Sequence, residues 1–443
     1  MDRQPVRPRR VGGPTPPYTR LACLACAGAA LGFLLGVVFM GTIHTMLEIR
    51  AEEHYREEAG GQAAQEAVQS SRREQAGAQK AAEAAVAAHM AVAGPAGGNG
   101  GGSGGGGGRW GPQEQQNIHT VCTSNGSPYL NFQTRIMYAT YRKVQKMPGG
   151  ERLVAFTRIL HRTKPDVLMD EVPTFRADPL TPKCDEWCEF PVADRPDAVE
   201  QWMKAVDSDP SMVSAPWILM IETDYVWWKP VQAPRADSGA LSIAFPFGYI
   251  VPQAPALAGV MRIMYPQDKG PLSDIPNSGP APVLCRLAEL RKIIPDWKRL
   301  AYHIEHHKET KDKLGWVREM YGWSIGAALQ GVKFDLELPP KQKLIVQPPA
   351  DRVIGEAALF HYTWGTVIKD QVSGRKLWEF DKRTYTDAKL PLQVPTIPKP
   401  PPFRPGLVMQ DGQPVTKELL DILNAMLDQM NSVIPSLPKL RPV

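Results

Sequence analysis

The residues best placed to do chemistry are Glu222 and Asp224, inside the stretch W-I-L-M-I-E-T-D-Y-V-W-W that runs from Trp217 to Trp228. Two carboxylates at i and i+2 fall on the same side of an extended chain. Carboxylates are seldom buried without a partner, so a pair aimed one way invites a cation. A hard divalent ion is the obvious one, with a phosphate-bearing ligand completing its shell. The plainer alternative is that the two acids merely open a solvated loop. What precedes them bears on that choice. Trp217 to Ile221 is an uninterrupted apolar run, which predicts a fully buried strand, parallel rather than edge. Ligands of open α/β sheets collect at the carboxyl ends of such strands. His361 follows another short apolar run, A-L-F, and is the candidate third ligand. A satisfied structural histidine is its alternative reading.

The elements that must position these groups follow from the pattern of the chain. Ile118 to Thr123 reads as a strand, Ser124 to Pro128 as a turn, and Tyr129 to Gln145 as a helix with apolar Ile136, Met137, Tyr138, Tyr141 and Val144. Leu153 to Leu160 is a second strand and Pro196 to Val206 a second helix, leading to the strand at Trp217. Alternating strands and helices predict an α/β fold with a mostly parallel sheet. Thr123, at the end of strand one and ahead of a helix amino terminus, lies on a natural edge for a diphosphate or nucleotide. Neither G-x-G-x-x-G nor G-x-x-x-x-G-K occurs there, which argues against dinucleotide and P-loop chemistry. Further on, Ala240 to Phe247 and Pro282 to Cys285 are apolar runs, and Asn277-Ser278-Gly279-Pro280 is a turn. Gly315 to Leu329 reads as a helix, and Leu344 to Val346 and Ala358 to Phe360 as short strands. A proline-rich segment from Leu390 to Gly406 precedes an amphipathic helix from Val415 to Val433.

Composition sets the frame. The 443 residues are 43% hydrophobic and 22% charged, enough for a sizeable core, with a net charge of +5. No basic stripe interleaved with aromatics occurs, so no nucleic acid is expected as a partner. Residues 21–43 carry no charge and are long enough for a transmembrane helix; a cleaved signal peptide is the alternative. Arg3, Arg7, Arg9, Arg10 and Arg20 precede them, which would hold residues 1–20 in the cytosol and send the rest into a lumen. Residues 44–110 are rich in Ala and Glu, then almost pure Gly, and read as a stalk; residues 111–443 form the folded domain. Of the six cysteines, Cys23 and Cys26 fall in the apolar segment. Cys122, Cys184, Cys188 and Cys285 would meet an oxidising lumen and form at least one disulfide, with three connectivities open. Half a zinc site at Cys184 and Cys188 is the alternative.

Two acids at a strand end, a late histidine and a lumenal domain combine into a nucleotide-sugar transferase, where a metal holds the departing diphosphate. Asp224 would be its principal ligand and Glu222 the weaker one. The sequence is also similar to the plant hydroxyproline O-arabinosyltransferases, which share distant similarity with peptidyl-serine galactosyltransferases. The resemblance rests on R-I-M-Y-A-T-Y-R-K (Arg135 to Lys143) and F-T-R-I-L-H-R-T-K-P-D-V-L-M-D-E-V-P-T-F (Phe156 to Phe175). It continues through A-F-P-F-G-Y-I (Ala244 to Ile250), E-M-Y-G-W (Glu319 to Trp323), Q-P-P (Gln347 to Pro349), H-Y-T-W-G (His361 to Gly365) and W-E-F-D-K-R (Trp378 to Arg383).

That resemblance implies a GT-A-like catalytic domain on a single-pass type II anchor in the Golgi or early secretory membrane. It implies transfer of L-arabinofuranose from UDP-L-arabinofuranose to a hydroxyproline-rich polypeptide, with Mn2+ or Mg2+ as cofactor and retention at the anomeric carbon. The family's acidic motif reads E-P-D-H; here it is Glu222-Thr223-Asp224-Tyr225, which keeps both carboxylates and changes their neighbours. Glu319 is the candidate for stabilising charge on the sugar or orienting the acceptor, unless it pairs with a neighbouring Arg. Asn277, Arg135 and Arg158 join Thr123 as donor-binding candidates. A peptidyl galactosyltransferase, or a catalytically silent scaffold of the same fold, are the rival readings.

Overall fold

The computed structural model describes residues 109–185 and 190–440. The anchor at 21–43, the tail before it, nearly all of the stalk, and Cys188 lie outside the described residues. Among the described residues, no helix is long and apolar enough to cross a membrane.

The strands are β1 (Ile118–Ser124), β2 (Leu153–His161), β3 (Thr174–Ala177), β4 (Trp217–Ile221), β5 (Tyr225–Trp227), β6 (Ser242–Ala244) and β7 (Val283–Arg286). They continue with β8 (Phe334–Asp335), β9 (Ile345–Val346), β10 (Leu359–His361), β11 (Thr366–Asp370), β12 (Lys376–Phe380) and β13 (Leu407–Met409). The helices are α1 (Pro128–Val144), α2 (Asp194–Ser208), α3 (Ala258–Met264), α4 (Leu287–His306), α5 (Lys308–Leu314), α6 (Arg318–Leu329) and α7 (Lys417–Val433).

A seven-stranded sheet in the order β3-β2-β1-β4-β7-β6-β8 forms the centre. The β3-β2-β1-β4 half is parallel throughout, and β6 pairs parallel with β8; β7 runs antiparallel to both β4 and β6. The fold is therefore α/β with a mostly parallel central sheet, as the alternation of elements predicts. Strand β4 is buried along its whole length. Its period of two feeds two cores: Trp217, Leu219 and Ile221 pack in a cluster with Met137 and Tyr141 of α1, while Ile218 and Met220 pack with Trp202 of α2 and Trp297 of α4. Each such large side chain contributes about 1.5–3 kcal/mol on leaving water.

Two smaller sheets complete the domain, β5-β10-β9 and β12-β11-β13. They share a third core with the other face of α1 (Phe132, Ile136) and the apolar stripe of α7 (Leu419, Leu423, Met426, Met430). Of the apolar run Ala240 to Phe247, only Ser242–Ala244 joins the sheet. Pro246 removes a ladder donor, and Phe247 N–H bonds instead to the Asn277 carbonyl at 2.7 Å. Cys184 is disulfide-bonded, so a thiolate zinc site there is excluded; Cys122 and Cys285 are buried free thiols.

Candidate active site

The acid pair stands where two sheets meet. β4 ends at Ile221 and β5 begins at Tyr225, so Glu222, Thr223 and Asp224 form the turn that passes the chain from the large sheet to a small one. In register, Ile221 lies beside Cys122 of β1, which puts Thr123 on the same carboxyl edge. Thr223 Oγ1 donates to Gln133 Oε1 of α1 at 3.0 Å and fixes the turn from behind. Asp224 is buried at 4% exposure, which rules out a solvated loop for it.

The β5–β10 ladder brings in the histidine. His361 pairs opposite Tyr225, and their rings meet edge to face with centroids 4.6 Å apart. His361 Nε2 thereby lies 3.2 Å from Asp224 Oδ2 and 3.9 Å from Glu222 Oε2. One ligand atom from each of the three residues lies within 4.8 Å of the others. His361 Nδ1 is buried without a hydrogen-bond partner among the described residues, so the ring's polar contacts are with the acid pair. Two carboxylate oxygens and one imidazole nitrogen form a donor set that could hold a divalent cation.

Two cations that are not among the expected site residues complete the cluster. Arg195, in the first turn of α2, donates to Glu222 Oε1 at 2.7 Å and sits 3.5 Å from Glu319 Oε2. Its helix is pinned by the preceding residue: Asp194 Oδ2 lies 3.2 Å from His161 Nδ1 at the end of β2. Lys382 donates to Asp224 Oδ2 from the turn after β12, where the Asp381 carboxylate caps the Arg383 N–H at 2.9 Å. Burial disfavours charge on both partners, yet the Lys382 ammonium and the His361 imidazole hold the Asp224 carboxyl well below the usual range. Asp224 in turn holds Lys382 above the ordinary lysine value despite its burial.

Glu319 opens α6 and is 3% exposed. Its helix lies close to α4 because Gly322 and Gly326 carry no side chain: a Cβ at either would come within 3.3 Å of Ala301 N or 3.2 Å of Trp297 N. Trp297 Nε1 donates to the Glu319 carbonyl at 3.4 Å. Burial pushes the Glu319 carboxyl up to about 7, against the pull of Arg195 and with the push of Glu222. Its Oε1 has no partner among the described residues. The neighbouring Arg318 pairs with Glu305, not with Glu319.

The remaining candidates divide. The Asn277 turn is tied to α6 through Ser324 Oγ, which donates to the Ser278 carbonyl. Arg135 and Arg158 are engaged elsewhere. Arg158 is fully buried and bidentate to Asp166 at 2.7 Å, with Nε on Thr174 at 3.0 Å; Arg135 binds Glu171 at 2.7 Å and the Pro391 carbonyl at 2.6 Å. These guanidinium groups brace the edge of the sheet. An open cavity of about 940 Å³ lined by Pro148, Lys229, Ile243, Phe334 and Lys343 lies past the other end of the β5–β10 ladder and contains none of the candidate residues.

Residues 118–336 match the model of the hydroxyproline O-arabinosyltransferase family N-terminal domain. Glu222, Asp224, Arg195 and Glu319 fall inside that match; His361 and Lys382 lie beyond its end. Hydroxyproline O-arabinosyltransferase 1 of Arabidopsis thaliana is 36% identical over 288 residues, covering 64% of this chain and 74% of the relative. Hydroxyproline O-arabinosyltransferase NOD3 of Pisum sativum is 34% identical over 300 residues, 67% of this chain and 84% of the relative. The peptidyl serine alpha-galactosyltransferase of Arabidopsis thaliana is 23% identical over 288 residues, 62% of this chain and 32% of that protein.

Proposed function

This chain belongs to the hydroxyproline O-arabinosyltransferase family, and from that membership we propose that it transfers L-arabinofuranose from a UDP-sugar to the hydroxyl of hydroxyproline in secreted, hydroxyproline-rich polypeptides. The observation that carries the reading into chemistry is the meeting of Glu222, Asp224 and His361 at the carboxyl edge of the parallel sheet. That edge is where nucleotide ligands of α/β folds collect. We read the domain as GT-A-like, held in the Golgi lumen by the apolar segment at 21–43 and a stalk.

Glu222, Asp224 and His361 would hold the divalent cation, Mn2+ in this reading. Such an ion would supply charge neutralisation for the departing diphosphate. Asp224 is suited to the task because its neighbours keep it ionised throughout the working pH range. Glu319 is suited to another. Its carboxyl titrates near neutrality and has a free buried oxygen, so its anion can stabilise positive charge on the sugar or orient the acceptor hydroxyl. Retention then calls for a front-face displacement, in which the departing phosphate takes the acceptor proton. Thr123 and the Asn277 turn remain the donor-side candidates; Arg135 and Arg158 support the sheet that carries them.

The test is incubation of the protein with a hydroxyproline peptide, Mn2+ and a panel of UDP-sugars. Arabinosylated peptide formed from UDP-L-arabinofuranose is the expected result. Product from UDP-galactose alone would move the protein to the galactosyltransferase reading, and no product from any donor would overturn transfer.

A further inference from the structure

We infer that Lys382 is an internal countercation for Asp224, and that its displacement couples divalent-cation binding to binding of a nucleoside diphosphate. The inference rests on the reading of Glu222, Asp224 and His361 as a metal site. Its basis is which oxygen each cation occupies. Arg195 holds Glu222 by Oε1 and leaves Oε2 facing His361. Lys382, in contrast, holds Asp224 by Oδ2, the same oxygen that faces His361 Nε2 at 3.2 Å. Arg195 is compatible with a metal in the cluster; Lys382 stands on the ligand atom itself.

A dication bonds a carboxylate oxygen at about 2.0–2.6 Å, and an ammonium donates to one at about 2.7–2.9 Å. Two cations on one oxygen would lie within a few ångströms of each other. The side chains of Lys382 and Asp224 are only 16% and 6% exposed, so water screens that repulsion poorly. The ammonium must therefore leave Oδ2 when a metal takes it. A charged lysine in a largely buried place needs another acceptor, and the acids around it are by then engaged by the metal and by Arg195. The diphosphate that arrives with the metal supplies one. Metal alone would strand Lys382, and metal with diphosphate would not. By linkage each ligand then tightens the other, and typical couplings of this kind are about 5–150-fold. Lys382 in this role makes the site resist a free metal ion and accept a metal–nucleotide pair.

The measurement is Mn2+ binding to the full chain, read from the loss of the free-ion electron paramagnetic resonance signal, with and without UDP and against a protein-free UDP control. Wild type, Lys382→Met, Lys382→Arg and Asp224→Asn are compared, with near-UV circular dichroism reporting folding. Lys382→Met is expected to bind Mn2+ about tenfold more tightly than wild type without UDP, and to lose most of the tightening UDP confers. Lys382→Arg, which keeps the charge, is expected to keep the coupling. Lys382→Gln replaces the Met variant if the latter does not fold. A neutral variant that binds Mn2+ no more tightly than wild type, or with the same gain from UDP, overturns the inference. If Asp224→Asn abolishes Mn2+ binding in that case, the metal site stands without it. Equal Mn2+ binding by wild type and Asp224→Asn would instead remove the metal site, and the inference with it.

Discussion

Glu222 and Glu319 share one guanidinium: Arg195 donates to the first at 2.7 Å and faces the second at 3.5 Å. A residue on the helix after β3 thus ties a candidate metal ligand to the acid that would act on the sugar. Both members of the Arg195–Glu319 contact are largely shielded from water, so neither is easily left alone.

Arg195→Gln should therefore do two things. Leaving Glu319 without its countercharge is expected to lower stability above about pH 7, where the carboxyl is ionised, and to cost little below it, where the carboxyl takes up a proton. It should also move the acid limb of the rate profile to higher pH, because the carboxyl loses the charge that pulls its pKa down. Urea unfolding and a pH–rate profile check both. Arg195→Lys keeps the charge without the fork and should fall between the two.

Glu319 itself predicts a pH dependence of stability. Its folded value near 7 lies above the ordinary 4.5, so the native chain holds a proton that the unfolded chain releases between those values. The resulting stabilisation is complete below about pH 4.5 and is lost as pH rises through about 7, a change of roughly 3 kcal/mol. Glu319→Gln cannot titrate and should flatten that stretch of the curve, measured as urea midpoints at the two ends of the window. Its turnover should drop on the order of a hundredfold, without the rise through neutrality that the ionised carboxylate gives the wild type.

Asp224→Asn is expected to lower turnover by roughly a thousandfold or more through poorer leaving-group stabilisation. A site acid in an open cleft would leave stability untouched, but this one is buried against Lys382. Removing its charge strands the ammonium and should cost about 3–5 kcal/mol. Lys382→Met strands the carboxylate and should cost a similar amount. The double variant should be less destabilised than the sum of the two, with a coupling of about 0.5–3 kcal/mol in a urea-unfolding cycle.

His119 gives the opposite sign. Burial lowers its imidazole to about 4 from 6.5. Its Nδ1 faces the Ser214 N–H, which can only donate, while Nε2 lies 2.8 Å from Thr157 Oγ1, so the ring is held neutral. Protonation would break the first contact. The folded state's advantage is present above about pH 6.5 and is lost as pH falls through about 4, roughly 3 kcal/mol in all. Urea midpoints between pH 7 and 4 should fall less steeply in His119→Gln than in wild type.

The chemistry of the site was partly legible in the sequence because its first half is local. The apolar run before Glu222 announces a buried strand, and the i, i+2 spacing puts both acids on one side of it. His361 could be named from its place after a strand, though only the β5–β10 pairing shows why it reaches Asp224; Tyr225–Trp227 is too short to read as a strand. Lys382 could not be read, since nothing local marks a lysine 158 residues downstream of Asp224 as its partner. Arg195 left a trace. A cation in the first turn of a helix opposes the helix dipole and needs an anion to justify it, but the sequence pattern predicts the helix only from Pro196, one residue past the arginine. The longest helix among the described residues, Leu287–His306, is hard to read in the sequence because Pro295 interrupts an otherwise regular stripe of Leu290, Ile293, Trp297, Leu300 and Ile304.

The junction at Glu222-Thr223-Asp224 also sets an order of events during synthesis. A nascent chain that has reached residue 336 contains both acids, Arg195 and Glu319, yet neither His361 nor Lys382 has been made. Until the β5–β10 ladder closes and brings His361 to Asp224 across 137 residues, Asp224 faces the core as a carboxylate with no countercharge from that side. Contacts of that sequence separation form late, since loop closure must come before they stabilise anything. The site is consequently among the last parts of the domain to mature, and a chain interrupted before His361 would bury an acid without either partner.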